Sequence, residues 1–274
     1  MAKSAKERQS ETTSRAMLFF PHDRRRIDYL VAPSLPADSR ALCVSALDDD
    51  APVPAFPIRS ARPAVAVPRG RLGHDISEDR ILLHTIQTAE AFGVLLANGV
   101  LKPDPALAEP PLHADGYDWM YRQMNTRLPT SGDGAIWLWA RIRRQTLVEL
   151  CGLAPGQVLL TCRVPRERVL LSHFGDWHAV LNRHPLIIEH PDESDEAYGA
   201  RLDRTFEDVE GRVRAAGVSL DARYQHWPAE VRTELEDSWE FMLDPTNYGR
   251  YETWQATVHA LRSDDVVQAV RIEG

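Results

Sequence analysis

Arg168-Val-Leu-Leu-Ser-His-Phe-Gly-Asp-Trp-His-Ala-Val-Leu-Asn182 decides how this chain is read. A short apolar run leads into Ser172 and His173 and has the character of a strand. A turn follows at Gly175, and then a helix that carries Asp176, Trp177, His178 and Asn182. Polar side chains at such a junction are held still by two rigid elements, which is where sites are often built. Ser172 and Asp176 can equally cap the helix, with Trp177 as a core anchor. A local Ser-His-Asp triad is poor geometry, because adjacent strand residues point to opposite faces.

Working outward, Gln157-Val-Leu-Leu-Thr-Cys-Arg-Val164 and Val169–Ser172 read as strands joined near Pro165. Ala135-Ile-Trp-Leu-Trp-Ala-Arg141 is another, with Trp137 and Trp139 on one face of its pleat. Upstream, Arg80–Gln87 reads as a strand. Thr88 caps a helix packed through Phe92, Leu95 and Leu96, which Asn98-Gly99 stops. Pro103 to Pro111 is a loop, and Asp115 caps a second helix with the stripe Tyr117, Met120, Tyr121, Met124 and Leu128. Residues 185–227 form an excursion around a helix carrying Tyr198, Leu202, Phe206, Val209 and Val213. Pro228 opens a further helix, and two strand-like runs, from Glu252 and from Val266, end the chain. Strands and helices do not alternate regularly, so the pattern predicts an α+β fold with a mixed or mostly antiparallel sheet rather than a doubly wound one.

Residues 1–78 differ from this. They hold eight of the 19 prolines and none of the seven tryptophans. They read as a Pro/Ala-rich extension of low order, with Met17–Phe20 and Ile27–Val31 as short strands or docking segments. Residues 79–274 read as one domain.

Composition narrows the function classes. The chain is 43% apolar and 26% charged, as in globular proteins. The N-terminus lacks the apolar core of a signal peptide, and no apolar run has transmembrane length, which predicts a cytoplasmic protein with no membrane contact. Three scattered cysteines argue against a disulfide framework. The net charge of −8 is concentrated in residues 189–274, with 20 acidic and nine basic groups, which disfavours nucleic acid on that surface. No Gly-rich phosphate loop, GxSxG elbow or HExxH helix is present. His173, His178, His184 and His190 lack a carboxylate or thiol to complete a metal set, so no metal is expected.

On the helix 116–127, Trp119, Arg122, Gln123 and Thr126 lie off the main apolar stripe. Trp119 is either a pocket wall or a second packing surface. Arg122 and Arg127 can receive an anion, although Asp118 and Arg122 can also pair at i, i+4. Trp137 and Trp139, followed by Arg141, Arg143 and Arg144, can form a stacking floor for a nucleotide or can pack under a helix.

Taken in order, His84-Thr-Ile-Gln87, Leu95–Leu101, Tyr117–Met120, Gln123–Arg127, Ile136–Trp139, Val169–Phe174, Trp177–Asn182, Ser238-Trp-Glu240 and Trp254-Gln-Ala-Thr257 resemble the bacterial family of uncharacterised proteins called domain of unknown function 3841. The likeness spans about residues 80–272. His84 stands where the family pattern has Trp, and His173 where it has an acid. That family implies no activity. The element order also resembles the ADP-ribosyltransferase fold. That resemblance implies NAD as a cofactor, with His84 holding it, Ser172 lining the nicotinamide pocket and Gln255 acting in catalysis, since a polar group can stabilise the oxocarbenium-like sugar left by nicotinamide. On this expectation Gln87, Trp119, Arg122, Arg127, His173, Trp177 and Asn182 complete the binding walls. The partner is a small-molecule nucleotide. The alternative is a non-catalytic ligand-binding or protein-interaction domain, whose motif residues are caps and Trp anchors.

Overall fold

Nine strands organise the computed structural model, which describes residues 54–70, 72–73, 76–103, 113–249 and 252–274. They are β1 (Ile58–Ala61), β2 (Arg80–Gln87), β3 (Val100–Leu101), β4 (Ile136–Arg141), β5 (Val158–Pro165), β6 (Leu170–His173), β7 (Trp254–Val258), β8 (Leu261–Arg262) and β9 (Val266–Ile272). Seven form one sheet in the order β1-β9-β5-β2-β4-β7-β6, while β3 and β8 pair separately. Every pairing in the large sheet is antiparallel except β1 with β9. The fold is α+β with a mostly antiparallel mixed sheet, as the run of elements predicts.

The described helices are α1 (Pro63–Ala66), α2 (Ala89–Asn98), α3 (Ala114–Arg127), α4 (Arg144–Gly152), α5 (Phe174–Leu181), α6 (Asp195–Ala215) and α7 (Ala229–Trp239). Local chemistry sets several of their ends. The Thr88 hydroxyl accepts from the Ala91 amide at 3.1 Å, and Gly99 ends α2 in the left-handed region at φ 68°. Pro228 is the N-cap of α7. At α3 the expected Asp115 cap is replaced by His113, and Asp115 instead pairs with Arg183 at 2.6 Å.

Strand alternation divides the core. One sheet face carries Ile81, Leu83, Leu138, Leu160, Cys162 and Ala256, covered by Phe92 and Leu95 of α2 and by Leu101 and Leu261 of the small sheet. On the opposite face, Leu159, Val270 and Ile272 pack on Leu147 and Cys151 of α4. Further along that face, Leu170 and Trp137 lie under Trp119, Met120, Trp177, Val209, Leu235 and Trp239 of α3 and α5–α7. The excursion therefore contributes to the core through Val209, Val213, Tyr224 and Trp227. Cys151 and Cys162 are buried thiols, and burial pushes Cys151 up to about 11.

The expected extension to residue 78 is corrected over 54–70. Ile58–Ala61 lie in parallel register along Ala269–Ile272, and Ala66, Val67 and Leu72 are buried with α4. Prolines that bar a central strand are tolerated beside an edge strand, and Pro63 suits the first turn of α1. Arg144 fastens this segment by donating to the carbonyls of Ala64 and Pro68. Met17–Phe20, Ile27–Val31, Cys43 and the loop 104–111 lie outside the described residues. Among the described residues no helix is long and apolar enough to cross a membrane.

Candidate functional site

The register of five strands assembles a line of side chains that are far apart in sequence. Thr161 on β5 stands opposite His84 on β2, His84 opposite Trp139 on β4, Trp139 opposite Gln255 on β7, and Gln255 opposite Ser172 on β6. Gln268 of β9 extends the line beyond Thr161. Directly paired residues share a face, so all six side chains project on the face that packs against α3–α7 rather than on the face covered by α2. At about 4.8 Å per strand, Gln255 and Ser172 are adjacent, and His84 is roughly 10 Å from Gln255.

Four of these residues are polar and buried. His84 and Ser172 are 0% exposed, Gln255 5% and Thr161 7%. His84 Nδ1 lies 3.2 Å from the Thr161 hydroxyl. Among the described residues, His84 Nε2, Ser172 Oγ and Gln255 Nε2 are buried without a hydrogen-bond partner. Such atoms are costly, and native cores contain few of them. Burial pushes His84 down to about 4, so the imidazole is neutral at neutral pH and the row carries no charge.

His84 also sits where the sheet forks. A single bridge, His84 with Trp139, joins β2 to β4. On one side of it the Thr85 hydroxyl replaces a ladder bond by donating to the Trp137 carbonyl at 2.9 Å. On the other, the Gly73 backbone approaches both strands: a Cβ there would lie 1.7 Å from the Ala140 carbonyl oxygen and 2.7 Å from that of Leu82. Gly73 has φ 67°, a conformation that glycine adopts without strain. On this side of the row, in phase along their strands, stand Leu82, Arg141 and Arg163, which are half-buried or exposed. The Trp139 ring meets Phe174, the first residue of α5, with centroids 5.0 Å apart.

The expected binding walls fall elsewhere. Gln87 is three residues from His84, so alternation puts it on the other sheet face, where it donates to the Thr85 hydroxyl. His173 likewise faces away from Ser172. It stacks on Tyr248 with centroids 4.0 Å apart, and its Nδ1 lies 3.0 Å from Asp176 Oδ2, which also accepts from the Tyr248 hydroxyl. Asp176 and Ser172 thus cap nothing, and His173 is the N-cap of α5. Trp119 is a core residue whose ring meets Trp239 edge-on at 5.6 Å. Arg122 pairs with Glu236 at 2.9 Å rather than with Asp118, and Arg127 holds Gln123 and Glu240. Trp177 packs on Trp137 and Tyr117. Asn182 is exposed and donates to the His178 carbonyl at the end of α5. Trp137 and Trp139 do share a face, as the alternation predicts, but each is already engaged by another aromatic ring. Among the described residues no three His, Cys, Asp or Glu side chains converge as metal ligands would.

Thr161 and Gln268 were not singled out from the sequence. Thr161 gives one local signal, a hydroxyl inside the apolar run Val158–Val164.

A family model described as Domain of unknown function (DUF3841) matches residues 82–267, about two thirds of the chain. No curated protein sequence and no solved structure gives a significant match.

Proposed function

We propose, for a chain that belongs to the DUF3841 family, that the buried row binds the uncharged, planar, hydrogen-bonding head of a nucleotide-type small molecule, with NAD as the leading case. The observation that carries this reading is the alignment of three unpartnered polar atoms, His84 Nε2, Ser172 Oγ and Gln255 Nε2, in one register across β2, β7 and β6. A carboxamide or nucleobase edge offers both donors and acceptors, and it would satisfy what the protein leaves open. The lack of charge in the row favours such a group over a carboxylate or a phosphate. Trp139 stands between His84 and Gln255 and supplies an aromatic surface beside the polar atoms. The four polar residues are buried, whereas Trp139 and Phe174 are only half-buried, so a ligand would reach His84 by displacing those two rings.

A second reading adds chemistry to the same row. In ADP-ribosyl transfer the bond from the sugar to nicotinamide breaks, and nicotinamide leaves with the bonding electrons. Water or an acceptor nucleophile forms the new bond to the sugar carbon while losing its proton to solvent. The positive charge that develops on the sugar needs an oxygen nearby. The Gln255 side-chain carbonyl and the Ser172 hydroxyl are the candidates. The row holds no carboxylate, so binding without transfer is the better supported of the two.

Calorimetric titration of the full chain with NAD, nicotinamide and adenosine tests the binding reading. Saturable binding of NAD is expected, weakened by about tenfold or more in Ser172→Ala and Gln255→Met. No saturable binding across the three ligands would overturn the reading. Release of free nicotinamide from NAD, lost in Gln255→Met, would establish the second reading.

A further inference from the structure

An open cavity of about 410 Å³ lies where the ends of β2, β5 and β8 meet the start of β9, and Arg80, Arg163, Arg168 and Arg262 line it together with Asp264 and Asp265. Four guanidinium groups face Asp264 and Asp265 in the lining, and Glu78 beside it pairs with Arg163, which still leaves a positive excess in this concavity on a chain whose net charge is −8. Such a local field concentrates anions.

The two carboxylates are not equivalent. Asp265 is 2% exposed and fully engaged: it accepts from both terminal nitrogens of Arg168 at 3.0 Å, from Arg80 at 3.4 Å and from the Arg262 amide at 3.0 Å. It holds Arg168 and Arg80 in place, and the charges of those two arginines offset its own. Arg80 is fixed a second time by donating to the Arg163 carbonyl. The other two arginines are less committed. Among the described residues Arg163 pairs with Glu78, and both partners are about half exposed, so an anion displaces that pair readily. Arg262 makes no ion pair among the described residues. The cavity thus combines two guanidinium groups locked by a buried acid with two that are available.

We propose that this cavity binds the phosphate group of a small phosphate ester. Guanidinium forks match phosphate oxygens bidentately, and the volume suits a small molecule. A polynucleotide carries the same group, but the 20 acidic and nine basic residues of 189–274 weigh against a long polyanion. The proposal stands on the arginines alone and does not rest on the reading of the buried row.

Inorganic pyrophosphate is the probe, titrated calorimetrically into the full chain at constant ionic strength set by sodium chloride. Saturable binding is expected, weakened by about tenfold or more in both Arg163→Glu and Arg262→Glu. Both side chains are exposed, and unchanged circular dichroism and melting midpoints would show that the variants fold. A lysine at either position should restore part of the affinity. No saturable binding, or equal affinity in wild type and both variants, overturns the proposal. A single-stranded oligonucleotide binding more tightly than pyrophosphate, through the same two arginines and with a steep salt dependence, overturns the commitment to a small molecule. Loss of NAD binding at the row would leave this result unaffected, because neither variant touches His84, Ser172 or Gln255.

Discussion

Ser172 on β6 and Gln255 on β7 stand directly opposite one another, and each buries a polar atom that no described residue satisfies. A buried hydroxyl without a partner has already lost its hydration, so removing it costs little. Ser172→Ala should change the unfolding free energy by no more than about 0.5 kcal/mol, or raise it by up to about 1 kcal/mol. Thr161→Val is the contrast. It deletes the partner of His84 Nδ1 and should cost about 1–3 kcal/mol. Urea denaturation of both variants measures the difference. A substantial loss in Ser172→Ala would mean that the serine is paired in the free protein.

His84 gives the fold a defined dependence on pH. Its pKa falls from 6.5 to about 4 on folding, through burial. Between those values the unfolded chain binds more protons than the folded one, so stability rises with pH and falls on acidification. The contribution is fully present above pH 6.5, is lost progressively toward pH 4, and stops changing below that. The drop amounts to about 3 kcal/mol. His178, His184 and His259 are also lowered by burial and act in the same direction. The His84 share is therefore read by subtracting the profile of His84→Gln from that of the wild type. Parallel profiles between pH 6.5 and 4 would contradict the assignment.

How far the sequence reveals this arrangement depends on the range of the interactions involved. The Thr88 cap, the Gly99 stop and the alternation of Trp137 with Trp139 are local, and each is found where the pattern puts it. The row is not local. His84, Ser172 and Gln255 are plausible one by one, but their alignment depends on the order β2-β4-β7-β6 and on register, which no window of sequence contains. Trp119 shows the opposite limit. Lying off the apolar stripe of α3 suggested a wall, yet α3 packs against α7 as well as toward the sheet, and the second contact buries it. Ile58–Ala61 were hidden for a similar reason: their partner is the last strand, some two hundred residues away, and the neighbouring prolines mask the strand signal.

Gly73 should be among the least replaceable glycines. Its φ of 67° costs an L-residue about 1–2 kcal/mol, and its Cβ would collide with two backbone carbonyls that cannot rotate away. Moving the strands adds about 1–3 kcal/mol. Gly73→Ala is thus expected to lose at least about 2 kcal/mol. Gly156 has φ 83° but nothing within 4 Å of its missing Cβ, so Gly156→Ala should show only the conformational part, about 1–2 kcal/mol. Thermal or urea unfolding of the pair separates crowding from backbone preference. Equal losses would show that the fork between β2 and β4 yields to accommodate a methyl group.

Asp265 and Arg168 form the most deeply buried ion pair of the basic cavity, with both Arg168 terminal nitrogens on one carboxylate. Removing one member leaves an uncompensated charge out of water, so Asp265→Ala should lose about 3–5 kcal/mol of stability. The loss measures the stranded arginine more than the worth of the pair. The double variant Arg168→Met with Asp265→Leu removes both charges and keeps much of the volume, and it should recover most of the loss. It also removes the acid that accepts from Arg80 and from the Arg262 amide, so recovery should be incomplete. Urea denaturation of Asp265→Ala and of the double variant, with the single variants Arg168→Met and Asp265→Leu, closes the cycle. If the double variant is as unstable as Asp265→Ala, then Asp265 supports the fold chiefly through those further contacts rather than by neutralising Arg168.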